Sequence, residues 1–156
     1  MKKILYLFPL LLLFTSSCSI KPEPIQYGED NCIACQMTIM DRRYGTEIVT
    51  NKGKVYKFDS VECLVEFYQE NNGGEEEFNL VLFTPFDQPG KLVNAYESHV
   101  LHCENLPSPM GMFLTAFETE ATALSFKEQY GGKMYCWNGL MENYKVIRWS
   151  GGQVVK

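Results

Sequence analysis

The sequence predicts an α+β fold: two related ββαβ units forming one compact domain, behind a signal peptide and a flexible tether. Three observations carry this. The pattern strand, strand, helix, strand occurs twice in the same order. Each helical segment ends in a glycine pair, Gly73–Gly74 and Gly131–Gly132, ahead of a strand pattern. The 139 residues from Cys18 onward suit one domain, or two small halves sharing a core.

The first residues stand apart from the fold. Lys2 and Lys3 precede "ILYLFPLLLLF", an apolar run of eleven residues, and "TSSC" follows. Such a run is too short to cross a bilayer; with its basic start and small-residue ending, residues 1–17 read as a secretory signal. A cysteine directly after small residues resembles the lipobox of bacterial lipoproteins, although Thr15 stands where that signal usually has leucine. Cys18 is therefore expected to carry acyl chains; ordinary signal cleavage with a spare thiol is the alternative. Acyl chains hold a protein to a membrane surface without spanning it, so the expected location is a membrane-anchored lipoprotein facing the periplasm or cell exterior. "SIKPEPIQYGEDN" has two prolines, a glycine and no apolar periodicity, and residues 18–31 read as a lipidated tether.

Residues 32–150 form the expected domain, with units at about 32–84 and 91–137 and a tail at 151–156. In the first unit, "GTEIVT" and "KVYKF" flank the turn residues Asn51 to Gly53 as a hairpin. "DSVECLVEFYQENN" opens with Asp59 or Ser60 as a cap and spaces Val61, Leu64, Val65 and Tyr68 as a helix. "FNLVLF" is the closing strand. In the second unit, "KLVNAYE" and "GMFLTAF" read as strands. "ETEATALSFKEQY", capped by Thr119, reads as a helix, and "KMYCW" as a strand; "NYKVIRW" adds a further strand.

Charge narrows the function. Residues 1–17 hold two of the 14 basic residues and none of the 19 acidic ones, so the remainder carries a formal charge of −7. No basic run occurs, which argues against nucleic acid. With Cys18 given to lipid, five cysteines remain: Cys32, Cys35, Cys63, Cys103 and Cys136. An odd count leaves at least one thiol free or metal-bound.

"DNCIACQMTIMD" concentrates sulfur beside the tether. Thiolates and thioethers are soft ligands that favour Cu(I) over Mg²⁺ or Ca²⁺. Cys32 and Cys35 can face one ion from a tight turn, and Met37, two residues on, lies on the same side of an extended segment. A C-x-x-C pair alone serves redox, zinc and disulfide roles alike; Met37 moves the reading toward copper. Met40 is expected in the core. A second group, His99, His102, Cys103 and Met110, falls within "SHVLHCENLPSPMGMF" and supplies secondary ligand candidates, suited to a helical turn if one forms. Met112 is expected to turn into the core of its strand. Cys63 reads as a small buried hydrophobe, and Cys136 as structural or paired with Cys103. Asp59 and Glu62 look like helix-start residues favouring the dipole. No catalytic set is found, so an enzyme is not expected.

At the level of motifs, "CIACQM", "YKFDSVECLVEFY" and "SPMGMFLTAFETEATALSFKEQYGGKMYCW" resemble the NosL family, the nitrous oxide reductase accessory lipoproteins. The likeness places Cys32, Cys35 and Met37 in a C-x-x-C-G-M run, Phe58, Asp59 and Cys63 in an F-D-x-x-x-C segment, and Met110 in S-P-M-G. It departs at Gln36, where the family has glycine; a positive φ there would strain Gln36. The resemblance implies two ββαβ units, a fold also seen in the metal-handling part of organomercurial lyase. It also implies a Cu(I) chaperone outside the cytoplasmic membrane, passing copper to nitrous oxide reductase with the help of an ABC-type membrane transporter. A copper ion shared across a homodimer is a further arrangement open to it. The competing class is a non-metal exported lipoprotein with structural disulfides that docks a membrane complex; a third reading puts zinc or mercury on the same fold.

Overall fold

The computed structural model describes residues 20–71 and 77–151, the side chains of 149–151 excepted. The signal segment, Cys18, the pair Gly73–Gly74 and residues 152–156 lie outside them. Among the described residues no helix is long and apolar enough to cross a membrane.

The first unit is β1 (Thr46–Thr50), β2 (Val55–Phe58), α1 (Val61–Asn71) and β3 (Phe78–Phe83). Gly53, at φ 79°, closes the β1–β2 turn by donating its N–H to the Thr50 carbonyl at 2.9 Å. Ser60 starts α1: its hydroxyl accepts the Cys63 N–H at 3.4 Å and its carbonyl the Leu64 N–H. β3 returns antiparallel beside β1, and β4 (Val93–Asn94) lies beside β3, so the sheet order is β2-β1-β3-β4.

The second unit is β5 (His99–His102), β6 (Leu114–Phe117), α2 (Glu120–Tyr130) and β7 (Lys133–Cys136), with sheet order β6-β5-β7. Thr119 caps α2 as expected, accepting the Thr122 N–H at 3.2 Å. At the other end Gly132, at φ 98°, lets the chain fold tightly against β5; a Cβ there would stand 2.4 Å from the His102 carbonyl oxygen. Two sequence readings change here. "KLVNAYE" supplies only β4, because the Asn94 side chain accepts the Tyr96 N–H and turns Ala95–Glu97 into a single 3-10 turn. The first strand of the unit is instead "HVLH", and not the helical turn that its histidine spacing suits. Val100 and Leu101 are both buried, on opposite faces of a sheet covered on both sides, so polar alternation is missing from the sequence.

"NYKVIRW" is not a strand but part of α3 (Trp137–Gly151). Leu140, Tyr144 and Ile147 are all buried, and they recur at the 3.6-residue period. α3 and α1 meet in one core that joins both units: Ile48, Phe58 and Leu64 from the first, Val100, Leu114, Tyr135 and Tyr144 from the second. α2 covers the other face of the second sheet through Leu101, Phe117, Ala123 and Phe126.

Residues 23–30, read above as tether, lie along the outer face of β1 and β2. The Glu23 N–H donates to Glu47 Oε1 at 3.0 Å, and Lys57 Nζ reaches Asp30 Oδ2 at 2.8 Å and the Pro24 carbonyl at 3.1 Å. Ile25 and Tyr27 pack on the core. The strap covers Glu47 completely, and burial pushes that carboxyl up to about 7.

Candidate metal centre

The strap leads directly into a tight loop. Ile39 N–H donates to the Asp30 carbonyl and Cys32 N–H to the Met37 carbonyl, at 2.9 and 2.8 Å, so Asp30 to Ile39 doubles back on itself. Ile33 N–H donates to the Lys57 carbonyl at 3.0 Å and fastens the loop to β2. Reversal requires Gln36 at φ 62°, where the side-chain amide donates to the Ile33 carbonyl at 2.7 Å. The strain anticipated at this departure from glycine is therefore present, partly offset by that bond.

Inside the loop Cys32 is fully buried and Cys35 half-buried, and both meet Cys63 on the first turn of α1. The three sulfurs lie within 4.8 Å of one another. With metal–sulfur bonds of about 2.3 Å, two ligands of one ion stand at most about 4.6 Å apart. A small contraction brings all three onto a single soft ion. Among the described residues this is the group of His, Cys, Asp or Glu side chains close enough to hold a metal.

Electrostatics divides the thiols. The Cys63 thiol donates to Cys32, and despite burial the Cys35 and Asp59 N–H groups add to this, drawing Cys32 down to about 5. That same bond to Cys32, with burial, pushes Cys63 far up; burial also raises Cys35. The metal-free site thus holds one thiolate and two thiols at neutral pH. Asp59 is raised to about 6 by burial and by the neighbouring Cys32 thiolate; its backbone N–H donates to Cys32, while Ser60 caps α1.

The thioethers of Met110 and Met37 face two separate clefts, and only the first is shared with the thiols. Met110, 39% exposed, lines a depression of about 390 Å³ together with Cys35 and Cys63. Met37, 52% exposed, opens on a second cleft of about 370 Å³ with Asp59, Pro107 and Pro109. Met40 shares that cleft and is 68% exposed, against the expectation of a core residue: Ile39 takes the inward position, so its neighbour points out. Met112 is half-buried against the core, with the Tyr144 hydroxyl 3.8 Å from its sulfur.

The His99–Cys103 cluster does not assemble. On a strand, His99 and His102 fall on opposite faces. Cys103 turns under α2, its thiol donating to the Tyr130 carbonyl at 3.3 Å. Cys136 is an exposed free thiol, so it is not paired with Cys103. Sequence reasoning placed Cys63 in the core and missed its sulfur partners. Two signals pointed to it, the odd thiol count and its place in the F-D-x-x-x-C segment.

A comparison with curated proteins gives no match. The crystal structure of the copper chaperone NosL from Shewanella denitrificans shares the fold, with a TM-score of 0.65 at 22% identity, over 77% of this chain and 95% of that one. A family model described as NosL matches residues 24–144, which span the strap, the thiol site and both units. On that match, the chain belongs to the NosL family.

Proposed function

We propose that this chain is a copper chaperone that holds Cu(I) on Cys32, Cys35 and Cys63, with the Met110 thioether on the Cys35–Cys63 side as a further ligand of the bound ion and that of Met37, on the second cleft, as a ligand during loading or release. One observation carries the reading: three sulfurs within 4.8 Å, drawn from two separate segments of the chain. Family membership and the solved copper chaperone of the same fold support it, and they favour a carrier over an enzyme. A set limited to sulfur prefers a cuprous ion to harder cations.

Release follows from the layout. Cys32 and Cys63 anchor the ion from inside, whereas Cys35 sits at the edge of a depression open to solvent. An acceptor's thiolate or thioether enters from that side and replaces Cys35 first, so the ion is never bare. The acceptor is nitrous oxide reductase, reached with an ABC-type membrane transporter, and acylation of Cys18 keeps the domain at the membrane surface outside the cytoplasm. Each of these last assignments rests on the family resemblance and the leader sequence.

Competition between the protein and a cuprous chelator tests the carrier role. The wild type is expected to win one Cu(I), and a Cys32→Ser, Cys35→Ser, Cys63→Ser variant with unchanged circular dichroism is expected to win none. Equal retention by the two proteins would contradict the proposal.

A further inference from the structure

Glu62 is fully buried on the first turn of α1, next in sequence to Cys63, in a turn where Val61 and Leu64 are buried as well. An acid in such a place is costly unless its bonds serve something. Its Oε1 accepts the Ser108 hydroxyl and the Leu114 N–H at 3.2 Å; its Oε2 has no partner among the described residues. Ser108 in turn accepts the Phe113 N–H at 2.9 Å. Two consecutive amides at the start of β6 therefore converge on one carboxylate, one directly and one through a hydroxyl.

The segment so held needs holding. Between Ser108 and Phe113 the chain makes a turn closed by Gly111 N–H to the Ser108 carbonyl at 3.0 Å. It leaves that turn through two left-handed residues, Gly111 at φ 70° and Phe113 at φ 60°. For Phe113, which has a Cβ, that conformation is strained. Met110 lies within this turn, and it faces the same depression as Cys35 and Cys63. The Tyr44 hydroxyl steadies the preceding Pro107 carbonyl at 2.9 Å, but Ser108 links the turn to the helix that carries Cys63.

We infer that Glu62 is a positioning residue: through Ser108 it fixes the Ser108–Phe113 turn so that the Met110 thioether stands over the Cys35–Cys63 side of the thiol site. The inference rests on the copper-carrier reading above and goes beyond it. It ties a ligand from the second unit to the helix of the first through one buried carboxylate. Glu62 touches no ion itself.

The test is a cycle of Ser108→Ala, Met110→Ala and the double variant, each titrated with Cu(I) against a chelator, with thermal unfolding run in parallel. Loss of an outer-shell support typically weakens metal binding by about 10–100-fold, and Ser108→Ala is expected at the low end of that range. The double variant is expected to be no weaker than Met110→Ala alone, because the hydroxyl acts through the thioether. Glu62→Gln, which keeps the acceptor oxygen, should bind close to wild type. A purely structural link would lower the melting temperature in Ser108→Ala and leave Cu(I) retention unchanged; that result overturns the inference. So does multiplication of the two losses in the double variant, or full-strength binding by Met110→Ala. The Met110 change is at an exposed position, so this arm reads out even if Ser108→Ala does not fold. Wild-type protein that takes up no Cu(I) would strike down the carrier reading itself, whereas a Met110-independent wild-type site would leave that reading standing.

Discussion

The thiol of Cys63 donates to the sulfur of Cys32, and this one bond sets the charge of the whole sulfur site. It joins the loop before β1 to the first turn of α1. Burial alone would keep Cys32 protonated; the donated proton, with the Cys35 and Asp59 N–H groups, outweighs burial and brings Cys32 to about 5.

A thiolate should therefore titrate far below the ordinary cysteine range. Ultraviolet thiolate absorbance of the metal-free protein is expected to show one thiolate already formed at pH 7. It should disappear as the pH falls through about 5. Cys63→Ala removes the largest lowering influence, so the transition moves to higher pH. Since the other two thiols remain protonated, loading with Cu(I) at pH 7 should release about two protons per ion. Release of none, or a transition unmoved in Cys63→Ala, would contradict the bond.

Gln36 sits in the left-handed region at φ 62°, and its amide holds the Ile33 carbonyl. Substitution by glycine relieves about 1 kcal/mol of strain and forfeits a bond worth about 1 kcal/mol. Gln36→Gly is therefore expected to be close to neutral in urea unfolding. Gln36→Val loses the bond and adds a β-branched side chain at positive φ, so a destabilisation of about 2 kcal/mol is expected. Equal stability of the two variants would contradict the observed loop geometry.

Glu47 makes stability depend on pH. Its carboxyl is raised from 4.5 to about 7 by burial under the strap. The folded protein thus keeps a proton that the unfolded chain gives up, so the stabilisation is complete below about 4.5 and is lost as pH rises through about 7. Glu47→Gln can still accept the Glu23 N–H but has no proton to lose. Its melting temperature relative to wild type should rise between pH 5 and pH 8. A constant difference across that range would mean that Glu47 does not titrate there.

Much of this fold was readable because local signals agreed with their surroundings. The Asn51–Gly53 turn, the Thr119 cap and the Gly131–Gly132 closure each appear where the residues put them. β5 was not readable, because a strand covered on both faces loses its alternation, and its two histidines imitate helical spacing. α3 was obscured by reading a short apolar–polar alternation where Leu140, Tyr144 and Ile147 keep a longer period. At the site, the spacing of Cys32 and Cys35 announces a pair, but nothing local says that a helix will deliver Cys63 to them. That meeting is a property of the packed core, as is the bond from Ser108 to Glu62.

X-ray absorption at the copper edge on the cuprous-loaded protein addresses the sulfur site most directly. Three sulfur neighbours from cysteine are expected in the wild type, and Cys63→Ser is expected to lose one of them, replaced by oxygen or left vacant. A first shell unchanged by Cys63→Ser, or one built from nitrogen and oxygen in the wild type, would contradict the account.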